Sequence, residues 1–97
     1  MSASHEHNPL SELDLHGMKV EQALRRLKQE LHASRVRGRS GLRVLVGRGW
    51  GSPGQRPVLG PAIETWLKGP EARSHGVHSY APANQGGALD LRLGTPG

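Results

Sequence analysis

The chain has 97 residues and a formal net charge of +5, with 13 Lys and Arg against 8 Asp and Glu. It contains no Cys, which excludes disulfides, thiolate metal sites and thiol nucleophiles, and no Phe, so that its core must be mainly aliphatic. This length suits one small domain. We expect a folded domain over residues 11–93, with flexible tails at 1–10 and 94–97 because those ends hold almost no apolar side chains.

No apolar run approaches the length of a membrane span, and the N-terminal residues lack the apolar segment of a secretory signal. Together with the absence of Cys, these features predict a cytoplasmic protein without a membrane partner.

The first half of the chain predicts two strands joined by a helix. Residues 12–16 alternate between apolar and polar side chains, which is typical of a half-buried strand, and Gly17 ends it. An apolar stripe at helical spacing begins at Val20 and predicts an amphipathic helix that ends within 34–38. The nearly all-apolar segment 42–46 predicts a central strand.

The second half predicts a helix and two strands. The helix is expected over 58–68 and ends at Gly69 and Pro70. A strand is expected around 77–80 and a last, alternating one over 88–93. The order β-α-β-α-β-β predicts an α+β two-layer sandwich: a four-stranded mixed sheet with two helices on one face and an open polar face on the other.

Asp14 and His16 are the first candidate catalytic residues. Two residues apart on a strand, they project to the same face, where the carboxylate favours the charged form of the imidazole. Parallel pairing of the first two strands would bring His16 next to Gly47 at the edge where open α/β sheets bind ligands. A solvated polar face of the strand is the alternative interpretation of the pair.

The glycine-rich segment 47–57 is the second candidate. Its glycines allow backbone N–H groups to approach a phosphate, its arginines supply charge, and its tryptophan offers a face on which a nucleobase can stack. The candidate nucleic-acid-binding residues are Gly47, Arg48, Gly49, Trp50, Gly51, Ser52 and Arg56. A flexible crossover loop is the alternative.

Positive charge is concentrated in one segment. Six of the 13 cationic residues are arginines within residues 35–56, and no acidic residue interrupts that stretch. Since Arg binds phosphate through a planar pair of donors, the run favours a phosphate-bearing partner over a merely solvated basic loop.

These motifs resemble the small MutS-related, or Smr, domain family. The resemblance rests on LDLHG (13–17), GRGWGS (47–52), PVLGPAIETWL (57–67) and GGALDLRL (86–93), in this order and spacing. It implies a βαβαββ two-layer fold similar to the C-terminal domain of bacterial initiation factor 3. It also implies nucleic-acid binding and, as in several members, endonuclease activity on DNA or RNA, with Asp14 and His16 at the family's Asp and His. Some members act on messenger RNA at stalled ribosomes.

The chain departs from the family pattern at two positions. Many relatives have a histidine where Val46 stands, and others have one where Gly51 stands, so the usual second imidazole is missing. The late glycine-rich motif is also reduced, because Asn84 and Gln85 replace its first two glycines.

The sequence therefore predicts a nucleic-acid-binding Smr domain with endonuclease activity carried by Asp14 and His16. The alternative is a non-catalytic module that binds RNA, DNA or ribosomes. No resident metal or cofactor is expected, although a divalent ion held by Asp14 is a second possibility for the chemistry. The sequence indicates no oligomeric state.

Overall fold

In the computed structural model, the described residues are 11–47, 59–83 and 86–94. The strands are Ser11–Asp14 (β1), Gly41–Leu45 (β2), Val77–Ala83 (β3) and Ala88–Leu93 (β4), and the helices are Val20–Val36 (α1), Leu59–Leu67 (α2) and Pro70–Ser74 (α3). The predicted tail 1–10 and residues 95–97 of the predicted C-terminal tail lie outside these ranges. Gly94, also assigned to that tail, donates its N–H to the carbonyl of Gly76 at 2.8 Å.

The four strands form one mixed sheet in the order β1-β2-β4-β3. β1 pairs with β2 in parallel, and β4 is antiparallel to both β2 and β3. A parallel pair needs a long crossover, which α1 supplies. The predicted α+β architecture with a four-stranded mixed sheet is confirmed.

One apolar core lies between the sheet and the helices, and every described element contributes to it. The core residues are Leu13, Leu15, Ala23, Leu27, Leu31, Leu42, Val44, Val46, Leu59, Ile63, Leu67, Ala72, Val77, Leu89, Leu91 and Leu93. All are aliphatic, as the composition predicts. The burial of alternate strand residues shows that the helices cover one face of the sheet.

The other face of the sheet carries charged side chains at its centre. Glu12 lies opposite Arg43 across β1 and β2, and Arg43 lies opposite Asp90 across β2 and β4. The Arg43 guanidinium donates two hydrogen bonds to the Asp90 carboxylate, at 2.6 and 2.9 Å. This pair explains how a central strand carries an arginine on a half-buried surface.

α1 begins and ends as its sequence predicts. Its N-cap, Lys19, makes no side-chain capping hydrogen bond. At the other end, Gly38 has a φ of +71°, its N–H bonds to Arg35 O at 3.1 Å, and the N–H of Arg39 bonds to Ser34 O at 2.9 Å. These two bonds form a Schellman motif, in which glycine is the preferred residue at the left-handed position.

The helix α3 is an element that the sequence did not predict. Gly69 and Pro70 do end α2, but Pro70 also begins α3, with Gly69 as its N-cap. Proline is favoured at the first position of a helix because the N–H there has no helical partner. The buried Ala72 joins α3 to the core. None of the helices in the described ranges is both long and apolar enough to cross a bilayer.

The bounds of β1, β2 and β3 differ from those predicted: β1 and β2 each begin one residue earlier, and all three strands end at a different residue. β1 ends at Asp14, although the next residue still bonds to β2 through Leu15 N–H and Leu45 O at 2.8 Å. β3 continues to Ala83 because it pairs with β4 along that length. The pairing with β4 therefore extends β3 beyond the predicted residues 77–80, although the local sequence is only a weak strand signal.

Core packing on α1 gives a first prediction. Leu27 is fully buried, whereas Val36 on the same helix is 73% exposed. We expect Leu27→Ala to lower the free energy of unfolding by about 2–5 kcal/mol, because it leaves a cavity. The control Val36→Ala should change it by less than about 0.5 kcal/mol. Urea unfolding followed by circular dichroism measures both, and equal effects would contradict the core described above.

Candidate functional site

The candidate site lies at the sheet edge where β1 and β2 end. Asp14 pairs in register with Leu45, so that the chain leaves both strands at the same edge. β4 runs the opposite way and begins there, with Ala88 opposite Leu45. This topology brings together the residues that follow β1, those that follow β2 and the turn that precedes β4.

Asp14 and His16 form one hydrogen-bonded unit at this edge. The Asp14 Oδ1 atom accepts the backbone N–H of His16 at 3.1 Å and also contacts the His16 Nδ1 atom. A carboxylate that binds the backbone two residues on stabilises a tight turn, which here ends the strand. The same oxygen orients the imidazole and leaves Nε2 without a hydrogen-bond partner among the described residues.

The contact also favours the ionised form of Asp14. The hydrogen bond from the His16 side chain, followed by that from its backbone N–H, lowers the pKa of Asp14 below its ordinary value. The carboxylate is therefore ionised at neutral pH, and this contribution to stability is lost as the pH falls through the lowered pKa. Both side chains are open to solvent, with 67% of His16 and 53% of Asp14 exposed.

Gly47 lies directly beside His16, as the parallel topology predicts. Its φ is +79°, and a Cβ placed on it would lie 3.4 Å from the Cβ of His16. A side chain at this position would adopt a strained backbone conformation and would lie in van der Waals contact with the histidine. Glycine here therefore avoids backbone strain at the point where the end of β2 passes His16.

The turn before β4 completes the edge, and the sequence did not assign it to the site. The carbonyl of Gly87 accepts the N–H groups of both Val46 and Gly47, at 2.9 and 3.1 Å. Gly86, next to it, has a φ of +94°. The glycine pair that opens GGALDLRL was the available signal, but only the three-dimensional fold shows that it anchors the end of β2.

The structure does not describe the remaining candidate residues of the glycine-rich segment. Arg48, Gly49, Trp50, Gly51, Ser52 and Arg56 lie outside the described residues. Their predicted contribution to binding stays a prediction.

Two arginines of the run form ion pairs with carboxylates, which the sequence did not predict. Arg39 pairs with Glu30 at 3.2 Å, and Arg43 pairs with Asp90. Within the described ranges, Arg35 and Arg37 form no ion pair with a carboxylate. Glu30 lies on α1, nine residues before Arg39, and Asp90 lies on β4. These carboxylates neutralise two of the arginines expected to attract phosphate.

The described residues contain no cluster of three or more His, Cys, Asp or Glu side chains that could hold a metal ion. The possible ion ligand Asp14 has only His16 as its side-chain partner there.

Comparison with known proteins identifies related domains. The Smr domain family model matches residues 13–88. The Smr domain of Thermus thermophilus MutS2 is 33% identical with a TM-score of 0.70, covering 87% of this chain and 98% of that chain. The human small-MutS related domain is 29% identical (TM-score 0.60, covering 84% and 98%), and the B3BP Smr domain is 28% identical (TM-score 0.59, covering 86% and 77%). A search of curated proteins found no match.

The backbone at Gly47 gives a prediction with a matched control. Gly47 and Gly38 both have positive φ, but a Cβ at Gly38 would meet nothing within 4 Å. We expect Gly47→Ala and Gly38→Ala each to lose about 1–2 kcal/mol of stability, because both place a side chain in the left-handed region. Thermal unfolding measures this loss.

Only Gly47→Ala should also shift the NMR signals of the His16 ring, since only its new methyl group would touch that residue. Identical His16 signals in the two variants would contradict the close approach of Gly47 to His16.

Proposed function

The chain belongs to the Smr domain family, whose members bind nucleic acids, and from this premise we propose that it binds RNA or DNA and cleaves a phosphodiester at the edge formed by Asp14, His16 and Gly47. One observation carries the proposal: the Asp14 carboxylate holds the imidazole of His16 by Nδ1 at an open sheet edge. The related domains found by comparison support the family, and the geometry of these residues supports the chemistry.

The orientation of His16 suits a general base. A neutral imidazole that donates its Nδ1 proton to Asp14 carries its lone pair on Nε2, which faces no described partner. In the proposed step, Nε2 takes the proton of a water molecule or an RNA 2′-hydroxyl. The oxygen so activated forms a bond to phosphorus while the bond from phosphorus to the leaving oxygen breaks. The Asp14 carboxylate stabilises the imidazolium that results.

Two features of the edge favour a phosphate group there. α1 begins four residues after His16, and its first-turn N–H groups have no side-chain cap. The N-terminal end of a helix carries a partial positive charge that attracts anions. The glycine-rich segment follows Gly47, and its N–H groups and Arg48 are the expected donors to the charge that develops on the phosphate oxygens.

The absence of a second imidazole shapes the expected mechanism. Val46 stands at one of the family's histidine positions and is 5% exposed, so that its side chain belongs to the core. The protonated His16 is then the group available to return a proton to the leaving oxygen. This sharing of two roles by one residue predicts slow turnover.

The buried Val46 also favours a second candidate function. An edge with one imidazole is sufficient for binding, so that a non-catalytic domain that docks on RNA, DNA or ribosomes is the alternative. In that case Asp14 and His16 would form part of the binding surface without taking up a proton.

Cleavage assays separate the two functions. We expect His16→Ala to lower the cleavage rate of labelled RNA and DNA, single- and double-stranded, by about 10²- to 10⁴-fold, the usual contribution of a general acid–base group. Asp14→Asn should have a smaller effect, because its amide oxygen can still accept the backbone N–H while the charge is lost. His32→Ala, which alters an exposed histidine on α1, is the control and should cleave like the wild type.

Binding is measured beside cleavage in each variant. If wild type and His16→Ala bind nucleic acid and show the same residual cleavage, the catalytic role is wrong and the binding module remains. A loss of wild-type cleavage in the presence of a chelator would instead support a divalent ion at Asp14.

A further inference from the structure

A second concave site lies at the edge of the sheet opposite to Asp14 and His16. It is a pocket of about 370 Å³, and its lining includes Arg35, Arg73, Gly76, His78 and Gly94; we call it the basic pocket. α1 ends there because it carries the chain back across the sheet, β3 begins there, and β4 ends there. The basic pocket is therefore built from the ends of four elements, since α3 contributes Arg73.

Arg35 is held in the basic pocket by the backbone of the neighbouring turn. Gly76 has a φ of +93°, and a Cβ on it would lie 3.2 Å from the Arg35 Cδ atom. The aliphatic part of Arg35 thus packs closely against Gly76, whose positive φ favours glycine. Its Nη1 atom donates to the carbonyl of Ser74 at 3.4 Å. One guanidinium nitrogen is anchored, and the other donors are oriented before any ligand arrives.

The positive charge of the basic pocket is not neutralised within the described part of the chain. Arg35, Arg73 and His78 form no ion pair with a carboxylate there. The acidic residue of α3, Glu71, is engaged elsewhere: its carboxylate contacts Lys28 Nζ at 2.8 Å and His75 Nε2 at 3.8 Å. A concave site with two guanidinium groups, an imidazole and no acid attracts an anion.

We propose that the basic pocket binds a phosphate group of the nucleic-acid chain, at a place separate from the edge where that chain is cut. The proposal rests on the proposed function for the source of the phosphate. Guanidinium forks match phosphate oxygens through paired hydrogen bonds. The pocket volume lies at the lower end of the range of about 300–1,000 Å³ typical of small-ligand sites.

An open groove leads from the basic pocket onto the polar face of the sheet. The groove has a volume of about 990 Å³ and shares His78 with the basic pocket. Arg92 lines it and, among the described side chains, has no acidic partner, whereas Asp90 is already neutralised by Arg43. The groove therefore continues the positive surface toward the centre of the sheet.

The separation of the two edges sets the length of nucleic acid that can reach both. From Gly41 to Gly47 the chain advances six residues, which is about 20 Å at roughly 3.3 Å per residue of strand. That distance corresponds to about six nucleotides at roughly 3.4 Å of rise per nucleotide. Oligonucleotides longer than this should contact both edges and bind more tightly than shorter ones.

The first experiment measures affinity for a 12-nucleotide single-stranded RNA as a function of salt. Arg73→Gln and Arg35→Lys are the test variants, and Arg25→Gln, which alters an exposed arginine on α1, is the charge-matched control. We expect Arg73→Gln to weaken binding about tenfold and to reduce the slope of log K against log salt by about 0.7, the value for one lost phosphate contact on a single strand. Arg35→Lys keeps the positive charge but loses the paired donors of the guanidinium. It should therefore weaken binding with little change in the salt slope.

Thermal unfolding of each variant verifies that the fold is intact. If the wild type binds and cleaves RNA while both test variants behave like Arg25→Gln, phosphate binding in the basic pocket is ruled out and the proposed function stands. Weaker binding with unchanged turnover at saturating RNA supports the basic pocket, because it is separate from His16.

The second experiment identifies the source of the phosphate by NMR. Inorganic phosphate, a mononucleotide and the 12-nucleotide RNA are each added while the amide signals of Gly76 and Gly94 are followed. Shifts with RNA that disappear in Arg73→Gln support the proposal. Shifts with inorganic phosphate but none with RNA overturn it and leave a free-anion site. If the wild type neither binds nor cleaves nucleic acid, the proposed function and the binding of a nucleic-acid phosphate in the basic pocket both fail, and shifts with phosphate then identify a free-anion site.

Discussion

Because β1 and β2 run parallel, the chain must return across the whole sheet between them, and α1 is the element that does so. This one pairing places the end of β1 beside the end of β2, which is why His16 and Gly47 are neighbours although they are far apart in sequence. It also delivers the end of α1, with Arg35, to the opposite edge. The aliphatic core between sheet and helices maintains both arrangements, since every described element contributes to it.

The two edges of the sheet differ in their chemistry. One presents a carboxylate and an imidazole that share a hydrogen bond, an arrangement suited to moving a proton. The other presents guanidinium groups without acidic partners in the described residues, an arrangement suited to holding a phosphate. In the proposed arrangement, the basic pocket adds a phosphate contact away from the edge that carries Asp14 and His16. Part of the affinity for nucleic acid would then remain if the catalytic pair were weakened, and this chain already has the buried Val46 at a position where many family members have a histidine.

Much of the fold and part of the site could be predicted from the sequence. Two strands could be predicted from the alternation of apolar and polar residues in LDLHG and ALDLRL, and α1 from its apolar stripe at helical spacing. These local patterns agree with the tertiary structure. α3 was missed because Pro70 ends one helix and begins the next. The pairing of Arg39 with Glu30 and of Arg43 with Asp90 was missed because ion pairs depend on the fold, not on neighbours in the chain. The bond from Gly47 to the carbonyl of Gly87 was missed for the same reason.

The proposed chemistry depends on one contact: Asp14 must hold His16 by Nδ1 and leave Nε2 as the free base. The ¹⁵N chemical shifts of the two ring nitrogens of His16, measured at a pH where the ring is neutral, test this claim without any substrate. We expect a protonated Nδ1 and an unprotonated Nε2 in the wild type, with this preference reduced in Asp14→Ala. A wild-type ring protonated on Nε2 would show that His16 is not held in this tautomer, because Nε2 would then have no lone pair with which to accept a proton.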